Sequence, residues 1–376
     1  MPLQKVSLKP GINREGTRYS TEGGYYDGDK IRFRQGLPEK IGGWLRISST
    51  TYEGVARSLH NWVTLSGQNL IGVGTHLKFY IENVGNYNDI TPLRSTVSLS
   101  NPFTTTEGSA VVTVTDANGG YKNGDYVTFS NATAVGGLTI DGEFNVSRSA
   151  VSPENTYTIT AASNATSSAT GGGTVTVAYQ INVGNPFAIP IEGWGAGSWG
   201  EGTWGFGVSS TTKIRFWSQS NFGEDLILGH RGGQLFYWDA TNGIETRAVL
   251  VSSRSGASDV PEVQNLVLVS DISRFVFCFG TNEIGSSTLD PTLLRWSDQE
   301  NAENWTPSAT NQAGSLRLSR GTEIVAASQA RQEVLVFTDS SLYSLQYVGL
   351  PAVWTATVVG ENISISSQNA VAYANG

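Results

Sequence analysis

Asp225-Leu-Ile-Leu-Gly229 followed by Gln234-Leu-Phe-Tyr-Trp238 sets the pattern of the chain: an apolar strand, a glycine turn and an aromatic strand. Three other segments share the plan. They are Asn69-Leu-Ile-Gly-Val-Gly74 with Leu77-Lys-Phe-Tyr-Ile81, Arg274 to Gly280 with Leu293-Leu-Arg-Trp296, and Glu333-Val-Leu-Val-Phe337 with Ser341-Leu-Tyr-Ser-Leu345. Each unit reads as a hydrophobic strand, an aromatic strand and a polar strand, bounded by turn residues. A supersecondary unit recurring with loop insertions is the signature of a β-propeller blade, with a meandering sandwich as the structural alternative.

The recurrence appears only when residues 95–181 are set aside. Of these 87 residues 27 are Ser or Thr and none is Trp, whereas all ten tryptophans lie outside. Period-2 alternation in Val111 to Thr115, Tyr126 to Phe129, Tyr157 to Thr160 and Thr174 to Ile181 predicts half-buried antiparallel strands. Turn signals such as Asn123-Gly124 and Asp141-Gly142 fall between them. The reading is an all-β chain: a basic N-terminal arm over 1–46, a β-propeller-like host domain over 47–94 and 182–376, and an inserted small β-sandwich or Ig-like domain over 95–181. With the insert removed, the second strands begin 70, 59 and 48 residues apart, and a fifth unit is expected near Ser366. Four units and a start of a fifth leave two expectations, termini that pair to close the ring or a sequence that is the front of a longer chain. The best short helical candidate is Asp298 to Asn304.

Composition excludes several classes. Glycine is 44 of 376 residues and charged residues are 15%, too few for a coiled coil, while 39% hydrophobic content is too rich for a disordered chain. The net charge of −8 is unevenly placed. Residues 1–46 carry nine basic and five acidic side chains, leaving the rest at −12. That argues against a dedicated nucleic-acid reader, which needs clustered Lys and Arg. The arm is either a solvated tail or a segment that docks on an acidic neighbour, with Arg14, Arg18, Arg32 and Arg34 as candidate interface residues. Cys278, the only cysteine, sits in an apolar run and reads as an inert buried thiol in a reducing compartment. No secretion signal or membrane span is recognised in the sequence.

Chemistry is sparse. The histidines His60, His76 and His230 have no partner at metal-ligand spacing, and neither a nucleophile elbow nor a phosphate-binding glycine loop occurs. Asp116, Asn118 and Asp125 resemble a calcium loop but lack its twelfth-position Glu, which favours turn chemistry. No catalytic residue, metal or cofactor is expected. Three Trp-Gly pairs at a period of five, Trp194, Trp199 and Trp204, read as a loop covering the protein's own core, a subunit interface or an aromatic sugar platform.

Four blocks resemble the tail nozzle or hub proteins of short-tailed bacteriophages, also called packaged-DNA stabilisation proteins. They are Tyr25 to Trp44, the insert from Asn101 to Phe144, the Trp-Gly run, and Leu294-Arg-Trp-Ser-Asp-Gln-Glu-Asn-Ala-Glu-Asn-Trp-Thr-Pro307. The resemblance implies a virion protein assembled in the host cytoplasm. It would form a homo-oligomer, a hexameric ring below portal and tail adaptor, with phage DNA passing through the lumen without sequence specificity and with fibre, spike or needle proteins as further partners. Family members are usually longer. An acidic body suits a channel through which DNA must slide. The competing readings are a carbohydrate-binding or glycan-cleaving propeller and an adhesin of immunoglobulin-like modules.

Overall fold

The computed structural model describes residues 8–20, 22–43, 48–117, 119–148, 155–187, 214–271 and 273–372. The chain divides into two compact units, Met1–Ser49 and Thr50–Gly376. Among its described residues the first contains one hairpin, β1 (Ile31–Arg34) and β2 (Leu37–Lys40), turned at Gln35 and Gly36, both with positive φ.

The second unit begins with a four-stranded antiparallel meander, sheet one: β3 (Ala56–Val63), β4 (Asn69–Thr75), β5 (Phe79–Asn83) and β6 (Asn86–Asp89). Eight strands follow: β7 (Leu93–Ser100), β8 (Phe103–Thr105), β9 (Val111–Thr115), β10 (Tyr126–Ser130), β11 (Gly142–Asn145), β12 (Thr156–Thr160), β13 (Ala169–Gly171) and β14 (Thr174–Gln180). They form two sheets, β11-β10-β14-β7 and β12-β9-β8-β13. Alternate residues Val112, Val114, Val127, Phe129, Tyr157, Ile159, Val175 and Val177 close a common core, so the Ser and Thr between them face outward or the edges.

Three further meanders continue the pattern. Sheet two is β15 (Trp217–Phe222), β16 (Asp225–His230), β17 (Leu235–Trp238) and β18 (Val249–Leu250). Sheet three is β19 (Gln264–Val269), β20 (Val276–Asn282), β21 (Leu289–Trp296) and β22 (Gly314–Arg317). Sheet four is β23 (Ile324–Gln329), β24 (Val334–Thr338), β25 (Ser341–Gly349) and β26 (Val353–Glu361). Four successive up-and-down sheets with one inserted sandwich make an all-β, propeller-like protein. Among the described residues, no helix is long and apolar enough to cross a membrane.

The way the sheets face each other explains their sequence. In β16, Leu226 and Leu228 enter a core shared with sheet one, while Ile227 between them enters a core shared with sheet three. In β20, Phe277 and Phe279 face sheet four, and Val276 and Cys278 face sheet two. A strand buried on both faces reads as an unbroken apolar run. Adjacent sheets approach closely at a repeated place: a Cβ on Gly74 of β4 would lie 2.7 Å from the Trp217 ring of β15, and one on Gly229 of β16 would lie 2.2 Å from the Gln264 amide of β19. The turns after β4 and β24 also match. Buried Thr75 and Thr338 each accept from the backbone N–H three residues on and donate to that residue's carbonyl.

Three expectations are corrected. The repeat unit has four strands, because a further strand precedes each apolar one, polar in β15 but largely apolar in β19. The fifth unit near Ser366 is not seen, since residues 362–372 form no strand. Gln368 and Asn369 there donate to the carbonyls of Trp217 and Arg57, at or beside the leading ends of β15 and β3. Asp298 to Asn304 is not helical but a loop tied by side-chain caps, with Asn301 Oδ1 accepting from the N–H groups of Glu303 and Asn304.

Candidate functional site

The arginines of the N-terminal unit are placed in two ways. On β1, alternation turns Arg32 and Arg34 outward while Ile31 and Phe33 are half-buried. Arg32 Nε lies 3.1 Å from Glu39 Oε2 directly across the hairpin. Arg14 pairs with Asp27, and that hydrogen bond, with one from the Gly28 N–H, holds the Asp27 carboxyl below its ordinary range. Arg18 lies over the Tyr26 ring at 5.5 Å. Exposed pairs of this kind contribute little to stability. Trp194, Trp199 and Trp204 lie outside the described residues.

The inserted sandwich is clasped to the body by a network absent from the sequence reading. Lys78, at the β4–β5 turn, is buried at 6% side-chain exposure. Its ammonium pairs with Asp89 at 3.2 Å and with Glu143 of β11, and lies 4.3 Å from the Tyr126 ring of β10. Arg247 reaches the same two carboxylates at 3.4 and 3.6 Å. Burial opposes the charge on Lys78, but Asp89 and Glu143 outweigh it and its pKa is raised. One cation thus joins sheet one to the insert, and a second joins both to sheet two.

Beside this clasp lies a cavity of about 1020 Å³. Its walls come from the β4–β5 turn (His76, Leu77), the base of the insert (Arg94, Lys122, Asn182), the chain entering β15 (Arg215), the β16–β17 loop (His230, Arg231) and the approach to β19 (Glu262, Asn265). Arg215 Nη2 donates to the Asn182 carbonyl at 2.7 Å, while its Nη1 is buried with no hydrogen-bond partner. Burial lowers its pKa to about 10, opposed by Asp125. His230 packs edge-on to Trp217. Burial first, then the Arg215 charge, lowers its pKa to about 3, against a hydrogen bond to the Arg231 carbonyl. His76 is lowered by burial, Arg57 and Arg215. Both imidazoles are therefore neutral near pH 7.

The calcium-like turn holds its carboxylates on protein donors. Asp116 Oδ2 accepts from Tyr179 Oη at 2.6 Å, and Asp125 accepts from the N–H groups of Lys122 and Val183 and from Asn182. Asn118 lies outside the described residues. Among the described residues, no group of three or more His, Cys, Asp or Glu is placed to hold a metal.

No protein-family model matches the chain, and no curated protein matches it. Among solved structures the chain is similar to the "Phage phi92 endosialidase", at 14% identity and a TM-score of 0.25, covering 88% of this chain and 52% of that one.

Proposed function

We propose that the chain is a structural subunit of the tail nozzle or hub of a short-tailed phage, forming a ring that extends the DNA channel below portal and adaptor and conducts the genome during ejection. The observation that carries the reading is an uncovered flank of the sheet array. Sheets one and two, two and three, and three and four share cores, whereas among the described residues no core cluster joins sheet four to sheet one. Leu59 and Val63 on β3 and Val359 on β26 are 71%, 58% and 61% exposed. Apolar side chains left in water at such a flank suit a neighbouring subunit. The basic N-terminal unit and the acidic remainder supply complementary charge for head-to-tail contacts, and the acidic body disfavours DNA adhesion.

Mass photometry and negative-stain imaging of the purified chain test this reading. Rings of about six chains, with or without adaptor, are expected. A monomer at micromolar concentration that adds to no adaptor complex overturns it. A second reading, a carbohydrate-binding surface protein, is favoured by the cavity between insert and body, and its signature is a monomer that binds on a glycan array.

A further inference from the structure

We infer that β26 is an open sheet edge that takes the β1–β2 hairpin of a second copy by strand addition, making sheet four six-stranded across the subunit contact. The inference rests on the ring reading above and names the contact that builds the ring. The last strands of sheets one, two and three are short, at four, two and four residues, whereas β26 runs for nine. Its sequence, Val-Trp-Thr-Ala-Thr-Val-Val-Gly-Glu, has none of the Lys or Pro residues that blunt an exposed edge. Among the described residues, no backbone group from Thr355 to Glu361 hydrogen-bonds outside sheet four. A long edge of this kind is a template for another strand.

The N-terminal unit supplies the matching half. None of its described residues is buried, and a lone two-stranded hairpin is marginal in water until further strands and an apolar face are added. Pro38 and Lys40 blunt the β2 edge, which leaves β1 as the side that pairs. Among the described residues, β1 has no backbone partner but β2. The alternation of the two strands agrees. Ala356 and Val358 pack on the core shared with sheet three, while Thr355, Thr357, Val359 and Glu361 face out. Continuing the sheet sets the half-buried Ile31 and Phe33 on the first face, and Arg32 and Arg34 on the second with Glu361, the one charge of β26. A second β26 would bring another Glu361 to this edge and no cation.

The test uses the full chain. Arg32→Cys is mixed in turn with Thr355→Cys, Thr357→Cys and Val359→Cys under mild oxidation, beside negative-stain imaging of the rings; the native Cys278 is fully buried and stays silent. A disulfide joining the two different chains is expected in at least one mixture, since paired strands bring facing residues within bonding reach. Val359→Lys, at an exposed position, is expected to raise the concentration for half-assembly roughly fivefold. Intact rings with no cross-link in any mixture, or an unchanged half-assembly concentration, overturn the inference and leave the ring reading standing. Thr357→Cys chains that link only to one another assign the edge to a second β26 and also overturn it. A chain that stays monomeric overturns both.

Discussion

His230 gives the chain a built-in acid sensitivity whose size follows from its surroundings. Its folded-state pKa of about 3 lies below the ordinary value of 6.5 because the ring is buried beside Arg215. Below pH 6.5 the unfolded chain takes up a proton that the folded chain refuses, so stability falls as pH falls from 6.5 towards 3. At pH 5.5 the loss is about 1.4 kcal/mol, and at pH 4.5 about 2.7 kcal/mol. Both figures depend on the unfolded value and hold for any folded pKa well below 4.5. His230→Gln removes the titrating group but keeps a polar side chain of similar length. Urea denaturation of wild type and variant at pH 7.5 and 5.5 gives four stabilities, and the difference of differences isolates His230. The lowered His60 and His76 are common to both proteins and cancel. The wild type is expected to lose about 1.4 kcal/mol more than the variant on acidification. Equal losses would refute the placement of a neutral, desolvated imidazole.

Gly74→Val puts methyl groups into the Trp217 ring and is expected to cost about 1–3 kcal/mol, read as a lower thermal midpoint. Lys78→Met removes one of the two cations that pair with Asp89 and Glu143, leaving Arg247, and costs a similar amount; faster proteolysis near residues 90–93 and 181–183 reports loosening of the insert. Cys278 is fully buried and burial pushes its thiol up, so a disulfide reagent at pH 8 leaves it unlabelled until denaturant is added. Arg32→Ala changes stability by under about 1 kcal/mol, because its pair with Glu39 is exposed.

The middle strands of sheets two and three were legible because both of their faces are buried, which leaves no polar alternation to confuse Asp225 to Trp238. The leading strands were not. β15 reads Trp-Ser-Gln-Ser-Asn-Phe because its side chains cross between sheets by hydrogen bonds: Gln219 donates to Ser58 and to the Gly72 carbonyl, and Ser218 accepts from the Val267 N–H. Such residues carry no hydrophobic period. The cavity escaped for a related reason. Arg94, Arg215, His230 and Asn265 come from separate segments, and no local spacing joins them. Lys78, which the sequence shows only as one residue of the segment Leu77 to Ile81, owes its role to Glu143, 65 residues away.

The way the sandwich leaves and rejoins the body also bears on how the chain folds. Between β6 and β15 lie 127 residues, yet the sandwich ends meet where the Ile181 N–H donates to the Pro92 carbonyl at 3.1 Å. If the sandwich forms first, it shortens the loop that sheets one and two must close to about a third of its length. Loop-closure entropy then favours that order by about 1 kcal/mol, roughly fivefold in rate. The insert thus shortens the search by which the first two sheets find each other.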